Sequence, residues 1–210
     1  MTTREKDRGG APPCAAPTRW LLLRHGQTEA NQGRLLAGDE ESPLTYGGRW
    51  QAITAGLALR GQPTPRLLCS DLSRARQTAA ALASAAGWHD ATWLSSPALR
   101  ERSVGAWRGL PYQQARATGR LIQWDDAPPG GESLRDVALR VLAFLAPLPE
   151  QDTLLVAHAG PIRVLFGLLC GVAPERIGTL KVPNATPIAV EVAPGALAEL
   201  ARAVRTPTSS

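Results

Sequence analysis

Along this chain, short unbroken apolar runs alternate with longer amphipathic or alanine-rich stretches. Trp20-Leu21-Leu22-Leu23 stops abruptly at Arg24-His25-Gly26, and Thr153-Leu154-Leu155-Val156-Ala157 stops in the same way at His158-Ala159-Gly160. Continuous runs of this length mark strands buried on both faces, as in a parallel sheet covered by helices. Pro65 to Cys69, part of Ala91 to Leu94, and Ile188 to Val192 predict further strands.

The intervening stretches predict helices. Thr45 to Gly61 carries apolar residues behind an N-cap candidate, Thr45, and ends in a glycine. Ser70 to Gly87 is alanine-rich, with Leu72, Ala79 and Leu82 on one face and Gly87 as its stop. Residues 111–124 read as a short helix, and 100–109 as an ordered loop crossing the site. Glu132 to Leu145 has apolar residues at 134, 137, 141, 142 and 145, with Ser133 and Asp136 spaced as a capping box. Pro161 opens an apolar helix that runs to Cys170. Ala196 to Val204 has helix-forming composition, yet the Pro194-Gly195 turn before it suits a hairpin, and both stay open. Strands alternating with helices predict an α/β three-layer sandwich, a mainly parallel sheet flanked by helices. We expect one domain over residues 19–204, with a disordered tail at 1–18 and a short one at 205–210.

Composition narrows the function classes. With 44% hydrophobic and 20% charged residues in 210, the chain is an ordinary globular one. Its apolar runs fall short of the roughly 18 residues that cross a bilayer, and its first residues lack the apolar core of a secretory signal. No membrane association and a cytoplasmic location are the expectation. Cys14, Cys69 and Cys170 form neither a disulfide framework nor a zinc spacing, and Cys69 and Cys170 read as small core residues. No metal and no cofactor are expected. The net charge of +5 suits an anionic partner. Scattered arginines without a nucleic-acid motif favour a small anionic ligand over nucleic acid. Oligomeric state is not legible.

The ends of the two apolar runs carry the candidate chemistry. In open α/β sheets, ligands bind at the carboxyl ends of strands, and Gly26 would let the backbone approach a bound group. Taken alone, Arg24 and His25 serve equally well as caps of a buried strand. The second run decides for chemistry, because two strands ending in histidine would, if neighbours, bring two imidazoles together.

Six blocks in order then match a known pattern. They are Arg24-His25-Gly26-x-Thr28-x-x-Asn31; Pro43-Leu44-Thr45 with Gly48 and Gln51-Ala52; Ser70-x-Leu72-x-Arg74-Ala75-x-x-Thr78-Ala79; Leu99-x-Glu101 with Gly105 and Gly109; Gly131-Glu132-Ser133; and His158-x-Gly160. Over roughly residues 19–190 the chain resembles the histidine phosphatase superfamily, in the branch of phosphoglycerate mutases and small phosphatases. That resemblance implies the same fold and a hydrolase of the histidine acid phosphatase type. It further implies that His25 takes the phosphoryl group as phosphohistidine, that His158 contacts it, and that Glu101 is the acid/base carboxylate.

The residue types suit that chemistry. A transferring phosphoryl group needs positioning and fixed positive charge, and Arg24 and Arg74 offer bidentate forks to its oxygens. A neutral imidazole is available near pH 7, provided its other ring nitrogen donates to a backbone carbonyl. Glu101 can protonate a leaving alkoxide and later deprotonate water. Thr28 and Asn31 read as phosphate-pocket residues before caps. Arg34, Arg102 and Trp107 are candidates for holding the rest of a small phosphate ester, although Trp107 also reads as core. Gly131, Glu132 and Ser133 read as supporting or cap positions, and His89 as structural.

Two departures concern the substrate rim: Asp39-Glu40-Glu41-Ser42 stands where many relatives have Asp before Pro-Leu-Thr, and Arg108 where an acidic residue often follows the loop Trp. Glu101-Arg102, with Gly105 and Gly109, also resembles the mutases, so a phosphoryl-retaining isomerase is the alternative. The short segment from Glu101 to Gly130 lacks the insertion with which mutases close over phosphoglycerate, which favours hydrolysis of a small phosphorylated metabolite.

Overall fold

The computed structural model describes residues 16–206. Most of the expected 1–18 tail and the last four residues of 205–210 lie outside that range. Thr18, assigned above to the tail, is already in the first strand, β1 (Thr18–Arg24), and Arg205 belongs to the last helix.

Among the described residues five strands form one sheet, in the order β3-β2-β4-β1-β5. The others are β2 (Arg66–Ser70), β3 (Trp93–Ser96), β4 (Thr153–Ala157) and β5 (Ile188–Val192). All neighbours are parallel except β5, which runs antiparallel to β1 at one edge. The register pairs Leu22 with Leu155 and Arg24 with Ala157. Because the two apolar runs end in step, His25 and His158 emerge side by side.

Alternation along the strands divides the core into two layers. Trp20, Leu22, Leu155 and Ala157 face helices α5 (Leu134–Leu145), α6 (Ala159–Leu169) and α8 (Ala196–Arg205). Leu21, Leu23, Leu154 and Val156 face α2 (Tyr46–Ala58) and α3 (Ser73–Ala86). Each such leucine contributes about 1.5–3 kcal/mol by leaving water. Helices α2 and α3 pack closely on each other because most of the residues they bury are small. Ala52, Ala55, Ala75, Ala79 and Ala83 are buried, and a Cβ at Gly56 would collide with the Leu82 carbonyl.

Most predicted helices appear with trimmed ends. Thr45 caps α2, accepting from Gly48 N, and Gly87 closes α3 in the left-handed conformation. Leu72 precedes α3 instead of lying on its face. Ser133 and Asp136 make the full capping box of α5, and all five predicted apolar positions are buried. Stretch 111–124 divides into α4 (Tyr112–Ala117) and a 3-10 turn, Arg120–Ile122. Short helices α1 (Glu29–Gln32) and α7 (Pro174–Ile177) complete the set. Residues 196–204, left open by the sequence, are helical: Gly195 takes a positive φ as the N-cap, and Leu197, Leu200 and Ala201 pack on the α5 layer. Cys69 is buried as expected, but Cys170, just past α6, is exposed and not a core residue. No helix among the described residues is long and apolar enough to cross a membrane.

Candidate active site

The site lies at the carboxyl ends of β1, β2 and β4. His25 follows β1 directly, and its amide donates to Ala157 O (3.0 Å), extending the ladder one step. Its Nδ1 lies 2.7 Å from Gly26 O, so Nδ1 carries the proton and Nε2 is the basic nitrogen. Burial, then the charges of Arg24 and Arg74, hold this imidazole well below its ordinary pKa. The side chain is therefore neutral at pH 7, with its tautomer fixed by the adjacent carbonyl.

Much of the second sequence block holds this loop in place. A Cβ on Gly26 would strike the Gly48 carbonyl, and one on Gly48 would strike Gln27 O. Gln27 N donates to Gln51 Oε1 (2.9 Å), and Thr45 N to Gln27 O (2.9 Å). Gly26 N donates to Thr78 Oγ1 (3.0 Å) on α3. Gly26 was expected to admit a bound group. It instead admits the backbone of α2, and it does not line the cavity.

One cavity is lined by Arg24, His25, Arg74 and Glu101, with Thr28 and Asn31 beside them. Arg24 donates from one terminal nitrogen to Val182 O (3.0 Å), while its buried Nε has no hydrogen-bond partner among the described residues. Arg74, in the first turn of α3 and buried, donates from Nε to His158 Nδ1 (3.2 Å) and from its terminal nitrogens to Gly38 O (2.8 Å) and Glu40 O. Burial lowers the pKa of both guanidiniums, and the Glu101 charge opposes that shift.

His158 is fully buried, 5.0 Å from His25 between ring centroids, at an interplanar angle of 60°. Nδ1 accepts from Arg74, so Nε2 donates to Ser70 Oγ (2.9 Å). Burial first, and then the arginine charges, lower its pKa well below the ordinary imidazole value, with His25 a competing site for the same proton. Both ring nitrogens are engaged within the protein and His158 does not line the cavity. The resemblance gives it contact with the phosphoryl group held by His25, whose ring lies beside it.

Glu101 lies just beyond the 3-10 turn Pro97–Leu99. Its Oε1 accepts from Arg102 N and from Gly160 N in the first turn of α6, both at 2.8 Å. A Cβ at Gly160 would displace that oxygen. Bonds from Arg100 to Asp71 and from Arg140 to Ala98 O and Glu101 O pin the surrounding segment. Within the loop expected over 100–109, Ser103 N donates to Glu132 Oε2 (2.9 Å) and Gly105–Trp107 forms a 3-10 turn.

The remaining expectations divide. Thr28 and Asn31 line the cavity but also form the capping box of α1, and Asn31 Oδ1 accepts further from Asn184. Pocket and cap are one arrangement. Arg102 lines the cavity wall, but its guanidinium donates to the carbonyls of Leu121, Asp126 and Glu132, so it braces the loop. Arg34 has a positive φ, is exposed and does not line the cavity; its carbonyl accepts from Tyr112 N. Trp107 is half-buried and away from the cavity. The departures find each other: Arg108 pairs with Glu40 (2.8 Å) and Asp39 (3.4 Å), while Glu41 accepts from Ser73 at the start of α3.

Sequence reasoning missed Arg163, Tyr112 and Asn184. Arg163 and Tyr112 line the cavity, and Asn184 donates to His25 O (2.9 Å). Arg163 was findable, since it lies three residues after Gly160 and so on the same face of α6. Asn184 gave no signal, because it precedes β5 in an irregular segment.

The family model of the histidine phosphatase superfamily (branch 1) matches residues 20–203. A glucosyl-3-phosphoglycerate phosphatase of Mycolicibacterium vanbaalenii is 36% identical, over 75% of this chain and 76% of its own. A 2,3-bisphosphoglycerate-dependent phosphoglycerate mutase of Bartonella bacilliformis is 34% identical, over 81% and 90%. Among solved structures, a mycobacterial glucosyl-3-phosphoglycerate phosphatase in complex with VO3 superposes with a TM-score of 0.72 at 31% identity, covering 83% of this chain and 92% of that one. The chain belongs to the histidine phosphatase superfamily, branch 1.

Proposed function

We propose that the protein is a phosphomonoesterase of the histidine acid phosphatase type, acting on a small phosphorylated metabolite through a phosphohistidine on His25. The observation that carries this reading is a neutral imidazole with Nδ1 bound to Gly26 O, in a cavity it shares with Arg24, Arg74 and Glu101. His25 Nε2 attacks phosphorus, and the P–O bond to the ester oxygen breaks. Glu101 gives the leaving alkoxide its proton. Arg24 and Arg74 meet the charge on the equatorial oxygens, and His158 keeps Arg74 oriented from behind. Water then attacks the phosphohistidine, Glu101 takes its proton, and inorganic phosphate leaves. The depressed pKa of His25 suits acid conditions, because the nucleophile stays unprotonated where an ordinary imidazole would be charged.

The test is release of inorganic phosphate from p-nitrophenyl phosphate and a panel of small esters, in the presence of chelator. We expect stoichiometric release, a protein-bound phosphate that survives alkali but not acid, and loss of both in His25→Ala. Magnesium- or zinc-dependent turnover, or an active His25→Ala, refutes the mechanism. An isomerised ester in place of free phosphate identifies the mutase chemistry of the 34% identical relative.

A further inference from the structure

One segment outside the cavity holds four of the residues that line it. Residues 180–185 run alongside the carboxyl end of β1, where Arg24 and Asn184 bridge in parallel and Ala185 N donates to Arg24 O at 2.8 Å. Alternate residues of this segment reach the site: Leu180 O accepts from Arg163, Val182 O accepts from Arg24, and the Asn184 side chain donates to His25 O at 2.9 Å and to Asn31 Oδ1 at 3.2 Å. Ala185 takes a positive φ of 44°, left-handed backbone that alanine rarely adopts and that persists only where the surroundings fix it. On the side of this segment, Leu180 and Val182 act through backbone carbonyls that any residue would offer. Asn184 acts through its side chain, so its identity matters.

The direction of the Asn184 amide is determined by its partners. His25 O is a backbone carbonyl and can only accept, so Asn184 turns Nδ2 towards it, and the second Nδ2 proton is left for Asn31. Asn31 must answer with its oxygen. Thr28 N, which can only donate, requires the same of that oxygen at 3.3 Å. With Oδ1 turned towards Thr28 and Asn184, the Nδ2 of Asn31 is the end left for the cavity, and it makes no hydrogen bond among the described residues. An amide that presents N–H groups suits an anion, whereas one that presents oxygen repels it. The same Asn184 side chain also acts on the nucleophile. The peptide joining His25 to Gly26 is held at both ends, its oxygen by Asn184 and its N–H by Thr78 Oγ1 at 3.0 Å, and His25 Nδ1 bonds to the next carbonyl along, Gly26 O.

We propose that Asn184 is a positioning residue for phosphoryl transfer: it fixes the Asn31 amide with its N–H groups towards the phosphate, and it holds the backbone carbonyl of the nucleophile, His25. The proposal rests on the phosphatase reading above, so turnover and binding are measured separately, by hydrolysis of p-nitrophenyl phosphate for kcat and by titration with inorganic phosphate for Kd. The variants are Asn184→Ala, Asn31→Ala and the two combined. One neutral hydrogen bond shifts an equilibrium by roughly 2- to 12-fold. Asn184→Ala should weaken phosphate binding by about that factor and lower kcat by a similar one. In the Asn31→Ala background it should leave phosphate affinity unchanged, because the group it acts through is gone, while the fall in kcat persists through His25. Losses of phosphate affinity that multiply in the combined variant overturn the route through Asn31, and a kcat unchanged in Asn184→Ala overturns the hold on His25. Wild-type NMR spectra carry the test if Asn184→Ala does not fold: the Asn31 side-chain amide signals should shift on addition of inorganic phosphate while those of Asn184 stay. The reverse would make Asn184 a phosphate ligand and overturn the proposal. A wild-type protein that binds inorganic phosphate yet releases none from any ester removes the phosphatase reading but leaves the Asn31 route to be decided by the same titration; one that binds none removes both.

Discussion

Glu101 is held through one oxygen. Oε1 accepts two backbone N–H groups, from Arg102 and Gly160, and this leaves Oε2 for proton traffic in the cavity that Glu101 lines. In Glu101→Gln the amide oxygen can keep both bonds while the exchangeable proton is gone. General acid–base contributions are typically on the order of 10² to 10⁴ in rate, so the loss should follow the leaving group. An alkyl phosphate should lose most of that factor in single-turnover phosphorylation of His25. p-Nitrophenyl phosphate, whose leaving group hardly needs a proton, should lose far less. Equal slowing of both esters in that step would assign Glu101 to loop structure and not to acid catalysis. At this scale the sequence was readable where chemistry is local: His25 with its carbonyl partner one residue away, and the Ser133–Asp136 box. It did not show the contacts of Gly26, Arg34 and Arg102, which come from α2, α4 and the 121–132 segment, distant in sequence and invisible to spacing.

Among elements, α2 matters to catalysis through its backbone. The contact between Gly26 and Gly48 leaves no room for a Cβ, and neither partner is a flexible side chain that can move aside. Gly26→Ala must separate α2 from the nucleophile loop, breaking the Gln27–Gln51 and Thr45–Gln27 bonds on the way. We expect about 2 kcal/mol or more of lost stability, in the range of overpacked sites, together with a fall in kcat. Ser133→Ala, which removes the α5 cap, should cost about 1 kcal/mol and leave kcat near the wild-type value. Chemical denaturation with steady-state kinetics on both variants separates the two cases; a Gly26→Ala enzyme of wild-type kcat would mean that the loop tolerates displacement. Helix α5 was legible because its 3.6-residue period and its cap agree. Helix α8 was not, because a Gly195 turn serves a hairpin and a helix N-cap alike. Only the apolar α5 surface, which Leu197 and Leu200 cover, decides between them.

For the whole molecule, the parallel register that makes the site also sets its response to acid. Pairing Arg24 with Ala157 places two imidazoles side by side under full burial, with Arg24 and Arg74 adding positive charge, and each cause lowers the histidine pKa. In the unfolded chain both titrate near 6.5. Above that pH both states are neutral, and these groups add no pH dependence. Below it the unfolded chain gains protons that the folded one refuses, so stability declines as pH falls from about 6.5 towards the depressed folded values. Each histidine contributes a slope of up to about 1.4 kcal/mol per pH unit in that window. Denaturant titrations from pH 7.5 to 5 should show this decline, and His158→Gln should make it shallower even while lowering stability at pH 7. ¹⁵N spectra of the folded protein at pH 6 should show His25 protonated at Nδ1 alone and His158 at Nε2 alone. A doubly protonated imidazole at either position, or a pH slope unchanged in His158→Gln, would contradict the neutral pair on which the nucleophile depends.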